Sequence, residues 1–307
     1  MPDPTPIILD TDMATDCDDA GALAMLHTLA QRNEARILAT LVNNKGSYSA
    51  GAVAAINVWY DRPDVAIGAY HGESVGTDAA SFFEAIATDT DRYGHELVTR
   101  DDAPDAVSVY REALATNEHV VIVSIGHVNN LLALLDSDAD DHSQLSGREL
   151  VADRVATLVV MGGEYPAGKE HNFAARNAHE VTNPVLERWP TEVLLSGYEL
   201  GVEIQTGPIL TALEEHHPVR RAYAGHPSDP LEDGRPSWDQ TAVLAAVREP
   251  STYFAVSDPG RVVVEDDGAN TWVDDPTGQH RYLINREDPD LVKGVIAALM
   301  VGQSTTG

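Results

Sequence analysis

Asp10, Asp12, Asp16, Asp18 and Asp19 place five carboxylates within ten positions, directly after the apolar run Ile7-Ile8-Leu9. Carboxylates this close repel one another unless a cation or shared protons relieve them. Oxygen-only ligands favour a hard cation, and two or three carboxylates with carbonyls and water suit calcium or magnesium. An EF-hand fits poorly, because Ala14 stands where a third acid is expected and no glutamate closes the loop. Zinc has no support either, since no local histidine–cysteine ligand spacing is present. The residue types point to a hard-metal site.

The acids need elements to hold them. Ile7–Leu9 reads as a buried strand, and the Ala/Leu/Met-rich stretch near 19–31 as a helix packed over it. The cluster then falls on a strand-to-helix turn, the end of an open α/β sheet where ligands bind. Strand-like runs at 36–42, 65–68, 119–124, 155–161 and 193–195 alternate with helical stretches at 49–59, 103–116, 128–135, 207–224 and 238–248. The polar region 78–98 has no clear period and reads as a loop, as do the acidic connector 136–146 and the Gly/Pro/Asp segment 225–237. Short β-branched runs fill 252–284 before a final helix at 289–300. The alternation predicts an α/β protein with an open, mostly parallel sheet and helices on both faces. No repeat or low-complexity linker interrupts it, so residues 1–307 are expected to form a single domain. No Gly-x-Gly-x-x-Gly or Walker-type loop follows a strand, which removes support for a nucleotide-phosphate cradle.

Asp10-Thr11-Asp12 followed by Asp18-Asp19-Ala20 resembles the N-terminal signature of the inosine–uridine-preferring nucleoside hydrolases, Asp-x-Asp-x-x-x-Asp-Asp-Ala. Here five residues rather than the usual three separate Asp12 from Asp18. The form Asp16-Cys17-Asp18-Asp19 is similar to that of the cysteine-containing branch of the family. Further landmarks follow in the family's order: Leu41-Val42-Asn43-Asn44, Ile125-Gly126-His127-Val128-Asn129-Asn130, Val160-Met161-Gly162-Gly163, Glu170-His171-Asn172 and Ser237-Trp238-Asp239. The resemblance implies a Rossmann-like nucleoside hydrolase fold and calcium-dependent hydrolysis of the N-glycosidic bond of ribonucleosides or a related N-riboside. It implies that Asp12, Asp19, Asp239 and the backbone carbonyl of Asn129 ligate calcium. Asp12 doubles as general base on the attacking water, and Asp10 supports the shell from behind. Asp18, Asn44, Glu170 and Asn172 hold the ribose hydroxyls. A place in purine or pyrimidine salvage and a homo-oligomeric state, dimer or tetramer, follow from the same resemblance.

The chemistry agrees with these residue types. A carboxylate beside a cation can take a proton from water, and acids around the sugar favour an oxocarbenium-like transition state. Attack by water rather than by an enzyme nucleophile is a single displacement. The leaving-group half departs from the family's pattern: Trp238 stands where better-known members carry a histidine, and an indole has no titratable proton to give. Trp238 stacks on the base or fills the core, and His95, His127 and His171 are the candidate acids, His95 being grouped with Asp12 and Trp238 as catalytic. Two rival readings stand beside this one. Asp10-Thr11-Asp12 after a strand also resembles the nucleophile motif of haloacid-dehalogenase-type phosphatases, with Asp10 attacking phosphorus. A non-catalytic ribose or nucleoside binder is the other.

Forty-nine acids against twenty Lys and Arg give a formal charge of -29. Such a balance argues against nucleic acid or an anionic membrane as partner and gives the chain an acidic, halophilic-type surface. A single cysteine, Cys17, excludes an intramolecular disulfide and fits a reducing compartment. The opening Met-Pro-Asp-Pro-Thr-Pro has no basic segment before an apolar core, so a cytoplasmic location is expected.

Overall fold

A computed structural model describes residues 3–14, 16–44, 46–72, 81–286 and 288–302. The alternating apolar runs form strands β1 (Thr5–Thr11), β2 (Ala35–Val42), β3 (Ala66–Ala69), β4 (Val120–Ser124), β5 (Val155–Met161), β6 (Ala167–Lys169) and β7 (Glu192–Ser196). The later part of the chain adds β8 (Gln205–Thr206), β9 (Arg235–Pro236), β10 (Ala255–Val256), β11 (Gly260–Val264), β12 (Ala269–Asp274) and β13 (His280–Ile284). The main sheet runs β3-β2-β1-β4-β5-β7-β13-β11-β12-β6, with β10 paired to β13, while β8 and β9 pair separately. From β3 to β13 neighbouring strands are parallel, and the β13-β11-β12-β6 end is antiparallel. This is the open, mostly parallel α/β sheet that the alternation predicts.

Burial follows the period-2 geometry of a strand covered on both sides. Ile7, Leu9, Ile37, Val121, Val123, Val159 and Leu194 join one core, beneath the helices Asp18–Gln31, Ser49–Trp59, Trp238–Val247 and Pro289–Met300. Ile8, Leu41, Val120, Ile122, Leu158, Val160, Val193 and Leu195 join the other, beneath the helices Ala106–Thr116, Asn129–Leu135, Gly147–Arg154 and His179–Arg188. The register sets Asp10 beside Leu41 on one side and Ser124 on the other. The carboxyl ends of β1, β2 and β4 therefore finish side by side, and the segments Asp12–Asp19, Asn43–Asn44 and Gly126–Asn130 emerge together.

Two stretches differ from expectation. Within 78–98, of which 78–80 lie outside the described residues, the chain forms the helices Ser81–Ala87 and Thr90–Tyr93 rather than a loop. Phe83, Ile86 and Tyr93 bury there and tie the segment to the first core, which local polarity conceals. The stretch 207–224 is not one helix: a 3₁₀ segment, Pro208–Ala212, stops before the helix Pro218–Gly225. Pro218 occupies the first turn of the second helix, where its missing N–H costs nothing; within a continuous helix it would remove a bond and clash with the preceding turn. The expected loop 225–237 also holds the short helix Pro230–Asp233 and strand β9.

Candidate active site

β1 ends at Thr11 and the next helix starts at Asp18, so the acids span the turn between them. Asp10 faces away from solvent and is fully buried. Asn43 Nδ2 and Asn130 Nδ2 donate to its Oδ1 at 2.7 and 3.1 Å, and the Tyr110 hydroxyl donates to Oδ2 at 2.7 Å. Burial nevertheless pushes Asp10 up to about 7, against the pull of those three donors. Thr11 Oγ1 donates to Asp19 Oδ1 and accepts from the Met13 N–H at 3.0 Å. Asn44 Nδ2 donates to the Asp12 carbonyl, and Asn44 Oδ1 accepts from Gly46 N at 2.7 Å and from Ser49 Oγ at 3.1 Å. Gly126, two residues past the end of β4, lies so close that a Cβ there would come within 2.6 Å of the Asp12 Cβ.

Asp18, Asp19 and Asp239 are buried, and one carboxylate oxygen from each lies within 4.8 Å of the others. Asp239 starts the helix Trp238–Val247, and its N–H donates to Asp18 Oδ2 at 3.3 Å across 221 positions of sequence. Burial lifts all three acids well above the usual carboxylate range, and their mutual repulsion, with that of Asp12 and Asp16, adds to it. Three converging buried oxygens with no basic partner among them fit a hard divalent cation. The Asn129 side-chain oxygen, buried and without a hydrogen-bond partner among the described residues, is a further unspent acceptor near this strand end.

The trio opens into a cavity of about 410 Å³ lined also by Asp12, Asp16, Met161, Glu170, His171, Asn172, Tyr198, Arg235 and Trp238. That volume lies in the range of small-molecule sites. Asp12 is pushed up to about 6 by burial, against the pull of His171. His127 is buried behind it, with Nε2 3.9 Å from Asp12 Oδ2 and Nδ1 3.2 Å from the Asn172 carbonyl. The His127 and His171 rings lie 6.0 Å apart, so both histidines of this region stand on the Asp12 side. Glu170 caps the short helix His171–Ala174, accepting from Asn172 N at 2.8 Å and Gly163 N at 3.0 Å. Burial still raises it to about 7. Asn172 Nδ2 donates to the Met161 carbonyl at 3.2 Å. Trp238 stacks on Tyr198 at 5.5 Å and donates its indole N–H to the Tyr198 carbonyl at 3.0 Å.

The fold thus brings Asp12, Asp18, Asp19, Glu170, Asn172, Trp238 and Asp239 to one cavity. Asp18, read as a sugar ligand, stands in the carboxylate trio, whereas Asp12 lines the cavity beside it. Asn44 is not among the lining residues; its side chain braces the Asp12 turn instead. Asn129 begins the helix Asn129–Leu135, and its Nδ2 donates to the Asn43 carbonyl at 2.9 Å. His95 does not line the cavity: it is buried with Nδ1 2.7 Å from the Leu97 carbonyl. Asp10, the nucleophile of the phosphatase reading, is sealed behind the cavity by its three donors and cannot reach a substrate. Arg235 and Tyr198 were not singled out by sequence. The one local signal for Arg235 is its place just before Ser237-Trp238-Asp239.

No protein-family model matches the chain, and no curated protein matches it. Solved structures do match over nearly its whole length. A plant nucleoside hydrolase, PpNRh1, aligns with a TM-score of 0.70 at 17% identity, covering 97% of this chain and 99% of that one. An inosine-uridine preferring nucleoside hydrolase from Bacillus anthracis aligns at 0.68 and 16% identity, covering 97% and 99%. The type III effector protein XopQ, solved with adenosine diphosphate ribose, aligns at 0.69 and 16%, covering 98% and 95%. The fold is therefore that of the nucleoside hydrolases.

Proposed function

We propose that this protein hydrolyses the N-glycosidic bond of a ribonucleoside or related N-riboside, releasing ribose and base, with calcium held by the buried aspartates. The observation that carries this reading is one cavity shared by a buried carboxylate trio, Asp12, Glu170, Asn172 and the flat face of Trp238. The nucleoside hydrolases that share the fold support it, and the Asp16-Cys17-Asp18-Asp19 turn favours the cysteine-containing branch. The same reading makes the protein a cytoplasmic salvage enzyme that works as a homo-oligomer.

Asp18, Asp19 and Asp239, with Asp12 beside them, would hold a calcium ion, and the ion would supply Lewis acidity and a template for water. Asp12, which lines the cavity beside the trio, accepts the proton of the attacking water. Glu170, Asn172 and Asp18 hold the ribose hydroxyls, and the surrounding negative charge favours the cationic sugar of the transition state. Water adds to the anomeric carbon in one displacement. Cys17 takes no part: burial and the neighbouring aspartates push its thiol far up, away from the reactive thiolate.

Reducing-sugar release from a nucleoside panel, with calcium, with chelator and with Asp12→Asn, tests this. We expect release with calcium, its loss with chelator, and a fall of about 10²–10⁴-fold for Asp12→Asn, the range of a lost general base. Release that survives both interventions overturns the proposal.

A further inference from the structure

The two features that set this chain apart from the family signature, the lengthened acidic turn and the tryptophan at 238, meet in space through one residue. Arg235 forms a two-pronged ion pair with Asp16 from that turn, Nε donating to Oδ1 at 2.9 Å and Nη2 to Oδ2. Its guanidinium carbon sits 5.4 Å from the centre of the Trp238 ring, which stacks in turn on Tyr198. All four side chains line the cavity. Asp16 Oδ1 also lies 3.8 Å from His226 Nε2. Nη1 of Arg235 has no hydrogen-bond partner among the described residues.

When an N-glycosidic bond breaks, the bonding electron pair moves to the ring nitrogen of the base. That charge must be met by a proton or by a preorganised donor. Trp238 has no proton to transfer, and its N–H is committed to the Tyr198 carbonyl. His127 and His171 stand on the Asp12 side. Lys169, the other cation in the lining, is half exposed and paired with Asp267 at 3.1 Å. Arg235 is pinned on one edge by Asp16 and on one face by Trp238, which leaves its remaining edge free beside the aromatic pair.

Building on the function proposed above, we propose that Arg235 is the leaving-group donor, and that Asp16 is the positioning residue that aims it. The guanidinium stays protonated throughout. The C–N bond breaks with its electron pair going to the ring, and the anionic ring is held by the Arg235 N–H until solvent protonates it. Asp12 takes one proton of water while the remaining hydroxyl joins the anomeric carbon. The site then selects flat heterocyclic leaving groups that carry an acceptor atom on the edge facing Arg235, such as an oxopurine or a pyrimidine carbonyl.

The test compares kcat/KM for inosine and uridine with that for 4-nitrophenyl β-D-ribofuranoside, whose nitrophenolate departs without help. Arg235→Gln is expected to lower the ratio of nucleoside to nitrophenyl turnover about 100-fold, the effect of removing one preorganised donor. Arg235→Lys should fall between, and Asp16→Asn, which keeps Arg235 but releases its fork, should shift the ratio the same way by less. Equal losses on both substrates overturn the donor role. Failure of the unaltered protein to cleave either substrate overturns the hydrolase reading instead. Circular dichroism melts identify an Arg235→Gln protein that does not fold, and Asp16→Asn then carries the test: an unchanged ratio there overturns the proposal.

Discussion

Asp10 and Asp12 stand two positions apart on one strand end, yet only Asp12 looks into the cavity. Alternation along β1 puts Asp10 on the Ile8 face, where Tyr110 and two asparagines receive it, whereas Asp12 lies beyond Thr11, the last residue of the strand. Tyr110→Phe removes one of three donors from a fully buried carboxylate. A loss of about 1–3 kcal/mol in urea unfolding is expected, the cost of leaving such a group under-satisfied; no measurable loss would mean that the Tyr110 hydroxyl does not hold Asp10. At this scale the sequence spoke clearly about the acids, because five of them crowd one turn. It said nothing of Arg235, whose partner Asp16 lies 219 positions away. Asn44 and His95 lie outside the cavity lining for a related reason: a polar residue near a strand end can brace a turn or a loop as well as touch a ligand.

The elements position these groups through close approaches that leave little room. Gly126, in the turn that follows β4, packs against Asp12, and a methyl group there would press on the Asp12 Cβ at 2.6 Å. Gly126→Ala should therefore displace the base without unfolding the sheet. An activity loss of about 100-fold is expected, in line with an ångström-scale shift of a reacting group, with the melting curve close to that of the unaltered protein. Full activity would mean that the turn yields freely. Most elements were readable from local composition: the strand Val155–Met161 is a continuous apolar run, and the helices Ser49–Trp59 and Pro289–Met300 are long Ala/Val/Leu-rich stretches. The segments around 82–93 and 207–225 were not, since one is polar along the chain but apolar toward its neighbours, and the other contains a proline that starts a helix.

For the molecule as a whole, the concentration of buried acid ties folding to pH and to cations. Asp10 and Glu170 are raised to about 7 and Asp12 to about 6, all by burial. Unfolded, the same groups titrate near 4, so between about pH 4 and 7 the folded chain binds more protons than the unfolded one. Their contribution is complete below about pH 4 and is lost as pH rises through 6 and 7. Chelator-treated protein should melt at falling temperature from about pH 5 to 8. Calcium should restore stability most at the alkaline end, by about 2.7 kcal/mol at a hundredfold excess over its dissociation constant. Molar salt should act in the same direction by screening the net charge of -29. Melting temperatures indifferent to pH, calcium and salt would rule this account out. Among the described residues no helix is long and apolar enough to cross a membrane.

The bond from the Asp239 N–H to Asp18 spans 221 positions, and it has a consequence for how the protein is made. At about 5–20 residues per second, a ribosome delivers Asp239 roughly 11–44 s after Asp18. For that interval the nascent chain carries its acidic turn without the last member of the trio. A ribosome stalled before Asp239 would expose a polypeptide that already has its first sheet strands yet lacks one of the three carboxylates that converge in the folded site. Maturation of the site is therefore timed by translation of its final third, not by formation of the turn where it begins.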